Sequence, residues 1–209
     1  MRAGENLDAS EMPKKYPNIA QIFTKEWFES EFRKKKEEMH LLARDLLLID
    51  YEEYESARLH IEHLEDYLAT MQDEIAQKMK IKKHFYEGLR NKDFYKYRST
   101  LAEIEIASLF KNMGFQVQLE PPIPDSKKNG DIKISDAETE VFIEVRTIRG
   151  KNGEILDKWE WVETRRMEFH RPIDLENKIV AEIHGLSGFY PGIVVLYRDQ
   201  SLINDRDIE

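Results

Sequence analysis

The sequence predicts an α/β fold, a mixed central sheet flanked by helices, behind an N-terminal helical extension. Three observations predict it. Up to about residue 98 the apolar residues recur at helical spacings. Beyond that point short alternating and β-branched segments appear, punctuated by Pro, Gly, Asn and Asp. Helical stretches lie between and around those segments, which is the pattern of helices layered on a sheet. The expected organisation is a loosely ordered lead-in over residues 1–18, a helical domain over 19–98 and an α/β domain over 99–209.

The 209 residues suffice for one domain with an extension. With 41% hydrophobic and 35% charged residues the chain can build a core, so wholesale disorder is excluded. There is no Cys, which excludes disulfides, thiolate metal sites and cysteine nucleophiles and removes any sign of an oxidising compartment. The longest aliphatic runs, Leu46 to Ile49 and Ile193 to Leu196, are far short of the ~20 residues that cross a bilayer. The first residues lack an apolar signal core. These features predict a soluble, cytoplasmic protein without a membrane partner.

Pro13 and Pro17 mark the polar lead-in. Thr24 is placed to cap a helix running to about Ile49, with Phe28, Phe32, Met39, Leu42 and Leu46 on one face. Asp50 and Glu53 have capping-box spacing. They introduce a second helix carrying Tyr54, Ala57, Ile61, Leu64, Leu68, Met71 and Ile75. That alternation of three and four is heptad-like. It predicts a helical hairpin packed within the chain, with a homodimer seam as the alternative. Gly88 predicts a break. Ser99 to Met113 reads as a helix that Gly114 ends. Strands are expected over Phe115–Glu120, Asp131–Ile134, Val141–Thr147 and Gly192–Arg198, the last apolar enough to be central in the sheet. Residues 155–169, and a segment from Asp174 to Leu186, read as helices between the last two strands.

The net charge of −9 argues against a generic nucleic-acid surface, but it hides a local reversal. Residues 1–75 are net −8, residues 76–98 net +6 and residues 99–209 net −7. The basic stretch holds Lys78, Lys80, Lys82, Lys83, Arg90, Lys92, Lys96 and Arg98, interleaved with Phe85, Tyr86, Phe94, Tyr95 and Tyr97. Cations beside aromatics suit a phosphate backbone with exposed bases. The bland alternative is a solvated helix end whose aromatics belong to the core.

The chemistry-bearing residues lie on the expected strands. Glu144 and Arg146 are two apart and so share a strand face, while Val141, Ile143 and Val145 form the other. Burying Glu144 unpartnered would be costly. A divalent cation shared with Asp131 is one solution, since hard carboxylate oxygens suit Mg²⁺ or Mn²⁺. On a helical wheel Ala102, Ile106, Leu109, Phe110 and Met113 form a stripe with Glu103 on its inward rim and Glu105 outside it. His60 and His63 are spaced to share a metal but lack a third ligand, so a polar helix face is expected of them.

Residues 99–198 resemble the PD-(D/E)xK nuclease superfamily, the restriction-endonuclease-like fold, with an echo of archaeal Holliday-junction resolvases. Glu103 precedes Gly114-Phe115 by the spacing of that family's helix, Gly130-Asp131 matches its Pro-Asp, and Glu144-Val145-Arg146 matches its Glu-x-Lys. The resemblance covers about half the chain and leaves residues 1–98 aside. It implies a Mg²⁺- or Mn²⁺-dependent nuclease acting on DNA or RNA, with metal held by Asp131, Glu144 and Glu103. Arg146 stands where the motif has lysine, and a guanidinium cannot yield a proton as an ammonium can. Lys133, two residues after Asp131, is the candidate substitute. Two alternatives stay open: a catalytically degenerate nucleic-acid-binding module of the same fold, and a helical interaction protein.

Overall fold

The structure is a computed structural model. It describes residues 8–49, 54–81, 83–123, 129–147 and 192–197, with the backbone alone at 77–81, 83, 84, 147, 196 and 197. The fold is α/β: helices accompany one mixed four-stranded sheet of order β1-β2-β3-β4. The strands are β1 (Gln116–Leu119), β2 (Ile132–Ser135), β3 (Glu140–Thr147) and β4 (Gly192–Tyr197), each close to its expected position. The chain divides into two compact units, Met1–Leu119 and Glu120–Glu209. No described helix is long and apolar enough to cross a membrane.

The first unit is helical where the sequence reads as helical, but its segments are shorter. The expected lead-in over 1–18 contains α1 (Met12–Lys15) and the start of α2 (Pro17–Ile22), held by buried Met12, Tyr16, Ile19 and Ile22. The Glu65 carboxylate accepts from the Asn18 and Ile19 backbone N–H groups, both at 2.9 Å, and so satisfies α2's first free donors. Thr24 caps α3 (Lys25–Phe32) by accepting from Trp27 N–H. The single helix expected over 24–49 is instead α3, a 3₁₀ turn at Lys36–Glu38 and α4 (Leu41–Leu46). Buried Glu31 fixes the break: one of its oxygens accepts from His40 N–H at 2.9 Å, and the other pairs with Lys34. Burial raises the Glu31 pKa, but hydrogen bonds from Lys34 and His40 N–H outweigh it and hold the carboxyl below the ordinary value.

The heptad-like stripe runs along α5 (Glu55–Thr70) and α6 (Gln72–Ile81), which part at Met71. Ala57, Ile61, Leu64, Leu68, Met71 and Ile75 are all buried within the chain itself. The stripe is therefore internal packing, not a free seam for a second copy. Asp50 and Glu53 lie outside the described residues.

The break expected at Gly88 comes one residue later, where α7 (Lys83–Leu89) ends. Gly88 itself lies inside α7, where a Cβ would collide with the Thr100 side chain of α8 (Phe94–Asn112). Glycine is there to let two helices approach. The α8 N-terminus is capped by Asp93, which accepts from Tyr95 and Lys96 N–H at 2.9 and 3.1 Å. The domain boundary expected at 98/99 thus falls within a continuous helix. Gly114, at φ 95°, ends α8 in a Schellman arrangement: Gly114 N–H donates to Lys111 and Phe115 N–H to Phe110. The Phe110 and Phe115 rings meet edge-on at 5.9 Å.

In the second unit β2 and β3 pair antiparallel, with Ile132 opposite Ile143 and Ser135 opposite Glu140. Asp136 shapes the connection by accepting from Glu138 and Thr139 N–H, each at 2.9 Å. β4 pairs parallel to β3, with Glu144 opposite Val194 and Arg146 opposite Leu196. Ile123, Phe142 and Val194 pack together on one side. Among the described strands β4 stands at the end of the order, not at its centre, and Ile193 is exposed. A parallel pair needs a crossover between its strands. The helices expected at 155–169 and 174–186 lie outside the described residues.

Two predictions follow from the helical unit. Gly88→Ala should destabilise by about 1–3 kcal/mol through overpacking, and adding Thr100→Ala should recover much of the loss in urea titrations. Burial pushes the His40 imidazole down to about 4, against the pull of nearby Glu31. Its Nδ1 accepts from Leu42 N–H at 3.2 Å, a bond that only the neutral ring makes. Because the folded pKa lies below the unfolded one, the stabilisation is complete above about pH 6.5 and is lost as pH falls toward 4, by on the order of 3 kcal/mol. His40→Asn keeps a cap and removes the titration, so its melting temperature should vary less across that range than the parent's.

Candidate functional site

Asp131 sits immediately before β2, and Glu144 and Arg146 lie on β3. Continuing the antiparallel register one step back from Ile132 brings Asp131 opposite Glu144. The side chains meet. Arg146 donates through one terminal nitrogen to Glu144 Oε2 at 2.9 Å and through the other to Asp131 Oδ2 at 3.3 Å. The second nitrogen also reaches the Val145 carbonyl at 3.2 Å. Asp131 Oδ2 accepts, in addition, from the Val145 backbone N–H at 2.7 Å. A single guanidinium thus bridges two carboxylates from neighbouring positions in the sheet.

The faces of β3 explain why. Ile143 and Val145 are buried on one face, as expected, and Phe142 is buried beside Glu144 on the other. Glu144 is therefore held in a largely dehydrated place, its side chain 10% exposed, against 21% for Asp131 and 40% for Arg146. A carboxylate that deep needs a cationic partner. Arg146, two residues on and on the same face, supplies it.

The donor set suits a hard cation in kind: two carboxylates converge on one positively charged group. Among the described residues no group of three or more His, Asp or Glu side chains is arranged to hold a metal. The expected third ligand, Glu103, lies on α8 in the Met1–Leu119 unit, whereas Asp131, Glu144 and Arg146 belong to the other. The wheel that placed Glu103 inward also chose a different face. α8 buries Leu101, Ala102, Ile104, Ala107 and Ser108, while Leu109 and Met113 are exposed. The packed side mixes large residues (Tyr97, Leu101, Ile104) with small ones (Ala102, Ala107, Ser108). Glu103 is half-buried, as is Glu105, which Tyr67 contacts. Lys133 is turned to Glu140, its ammonium 2.9 Å from that carboxylate, on a pair separate from the Asp131–Glu144 bridge.

The basic stretch divides. Lys92 and Lys96 are exposed. Arg90, expected to grip phosphate, donates through Nε and a terminal nitrogen to the Ile22 carbonyl at 3.0 and 2.6 Å and lies 4.1 Å from the Tyr86 ring centre. It is a helix-to-helix tie. Arg98 stands over the Phe94 ring at 5.8 Å. Phe85 and Tyr97 are core residues. The side chains of Lys78, Lys80, Lys82 and Lys83 lie outside the described residues.

The sequence reading missed a largely covered polar relay in the helical unit. His60 Nδ1 contacts Asp45 Oδ2 at 2.6 Å, and His60 Nε2 contacts the Tyr97 hydroxyl at 2.9 Å. With His60 Nδ1 donating to Asp45, a neutral ring has Nε2 left to accept from the Tyr97 hydroxyl. Burial, reinforced by Asp45, pushes the Tyr97 pKa up and keeps the phenol protonated. His63, three residues on, is exposed, so the two histidines do not share a ligand. Only the i, i+3 spacing was visible, and Asp45 and Tyr97 are too distant in sequence to signal the relay.

No family model matches the chain, and neither a curated protein nor a solved structure matches it.

Asp131 carries two loads, the Val145 amide and half of the Arg146 bridge. Asp131→Ala should cost about 1–3 kcal/mol in urea unfolding, because a backbone N–H and a guanidinium lose an acceptor. Asp131→Asn retains an oxygen for the amide and should cost clearly less. Equal losses would show that the amide bond contributes nothing.

Proposed function

We propose that this chain is a divalent-cation-dependent, nuclease-like phosphodiester hydrolase built on a restriction-endonuclease-like α/β domain, acting on nucleic acid, DNA foremost, in the cytoplasm. The observation that carries the proposal is the convergence of Asp131 and Glu144 on one cationic group. Two acidic side chains, thirteen residues apart in sequence, share one positive charge at the middle of a sheet strand. That is the arrangement the resemblance to the PD-(D/E)xK superfamily requires of its two strand carboxylates.

In this reading Asp131 and Glu144 hold Mg²⁺ or Mn²⁺. When bound, such an ion polarises a phosphoryl oxygen and lowers the pKa of an attacking water. Glu144 is positioned by the strands on either side of β3, and Asp131 by its bond to the Val145 amide. Both therefore present oxygens without first having to be ordered. Arg146, the most exposed of the three, contacts the phosphate and offsets charge that develops in the transition state. The exposed Lys92 and Lys96 contribute to attracting the polyanion.

The seating of Arg146 on both carboxylates favours a second reading, a binding module of the same fold that does not cleave. A guanidinium stays protonated and cannot serve the attacking water as a base. A homodimer built on the helical stripe gains no support, because that stripe is consumed inside the chain.

The test is cleavage of branched, single-stranded and duplex DNA with Mg²⁺, Mn²⁺ or EDTA. Cleavage that needs the metal and disappears in a folded Glu144→Ala variant is the expected result. Cutting that survives either treatment places the chemistry elsewhere. DNA binding that weakens with salt, without turnover, establishes the binding module, and activity gained by Arg146→Lys then identifies it as a degenerate enzyme.

A further inference from the structure

We propose that Arg146 is a built-in competitor for the divalent cation, seated on the carboxylate oxygens a metal would use and drawn off them by a phosphodiester. The inference rests on the hydrolytic reading of the Asp131–Glu144 site and adds to it a coupling between metal and substrate.

The geometry supplies the competition. The guanidinium is bonded to Asp131 Oδ2 at 3.3 Å and to Glu144 Oε2 at 2.9 Å. A divalent cation coordinating those same oxygens would lie against a fixed positive charge and repel it. One occupant therefore excludes the other unless the guanidinium leaves.

The structure also shows which member can move. Asp131 is tied to the Val145 amide. Glu144 is buried at the middle of β3, between β2 and β4. The Arg146 side chain is 40% exposed on a long, flexible stem. A phosphodiester offers paired anionic oxygens that match the guanidinium fork. Turning to it costs Arg146 little ion pairing, because one set of anionic acceptors replaces another. The two oxygens are then released from the guanidinium, which favours metal entry. By linkage, phosphodiester must tighten metal binding and metal must tighten phosphodiester binding by the same factor.

The competition also accounts for the charge at the site. Asp131, Glu144 and Arg146 together carry −1, which does not attract a phosphate. With a divalent cation added the sum is +1. Each of the two ligands therefore favours the other's binding.

The experiment is Mn²⁺ titration of the full chain by calorimetry, for the parent, Arg146→Ala and Arg146→Lys, each checked for folding by circular dichroism. The parent should bind Mn²⁺ weakly. Arg146→Ala should bind it about tenfold or more tightly. Arg146→Lys keeps the charge but cannot bridge both carboxylates, and it should recover most of that gain. A short single-stranded DNA, with turnover suppressed by brief low-temperature mixing, should raise the Mn²⁺ affinity of the parent but not of Arg146→Ala. Equal Mn²⁺ affinity in parent and Arg146→Ala overturns the proposal and leaves the hydrolytic reading standing. An Arg146→Lys variant as weak as the parent also overturns it, since bulk charge would then be the whole effect. If DNA leaves the parent's affinity unchanged, the coupling is overturned. If none of the three proteins binds Mn²⁺, the hydrolytic reading itself fails.

Discussion

Everything at the candidate site follows from one constraint: Glu144 is an ionisable side chain placed where water scarcely reaches. A β-strand that is buried on both faces has no room for an uncompensated charge. The strand solves this locally. The residue two positions on points the same way and carries the opposite charge, and its fork is wide enough to gather Asp131 as well. Because Asp131 simultaneously satisfies a backbone amide on β3, the charge cluster is part of the hydrogen bonding that joins the hairpin. The two side chains that carry the proposed metal site are thus also residues that hold the sheet.

The helical unit shows the same economy with buried polar groups. Glu31 and Glu65 are not surface carboxylates that happen to be partly covered. Each is spent on backbone donors at a helix start or a chain reversal. Arg90 does the complementary job for a carbonyl. Long side chains are thereby used to close short helices that, by length alone, would be marginal. The Asp45–His60–Tyr97 relay adds directional bonds to the packing of α4, α5 and α8.

Much of this fold was readable from local pattern. The four strands were visible because alternation and β-branching are local signals, and Thr24 and Gly114 because caps are local too. The convergence of Asp131 and Glu144 was foreseeable from strand parity. The failures share one cause, which is that partners were distant in sequence. Glu65 caps a helix 47 residues away, and nothing around Asn18 announces it. The basic stretch gave no hint that Arg90 would reach the carbonyl of Ile22. On α8 the stripe through Leu109 and Met113 suggested a face, but the side that packs carries Tyr97, Thr100, Leu101 and Ile104, with α7 drawn close where Gly88 meets Thr100. That is a property of two helices together and is not written in either.

The parallel pairing of β3 with β4 bears on how the domain assembles. Asp131 and Arg146 belong to a hairpin whose two strands are joined by a tight turn, so their meeting requires only a short loop to close. β4, by contrast, arrives from far along the chain. The acidic pair and its arginine can therefore form early, with β4 docking onto a nascent ribbon whose two carboxylates already share a cation. In a newly made chain the hairpin itself brings a cation to the two carboxylates, whatever the distance to β4.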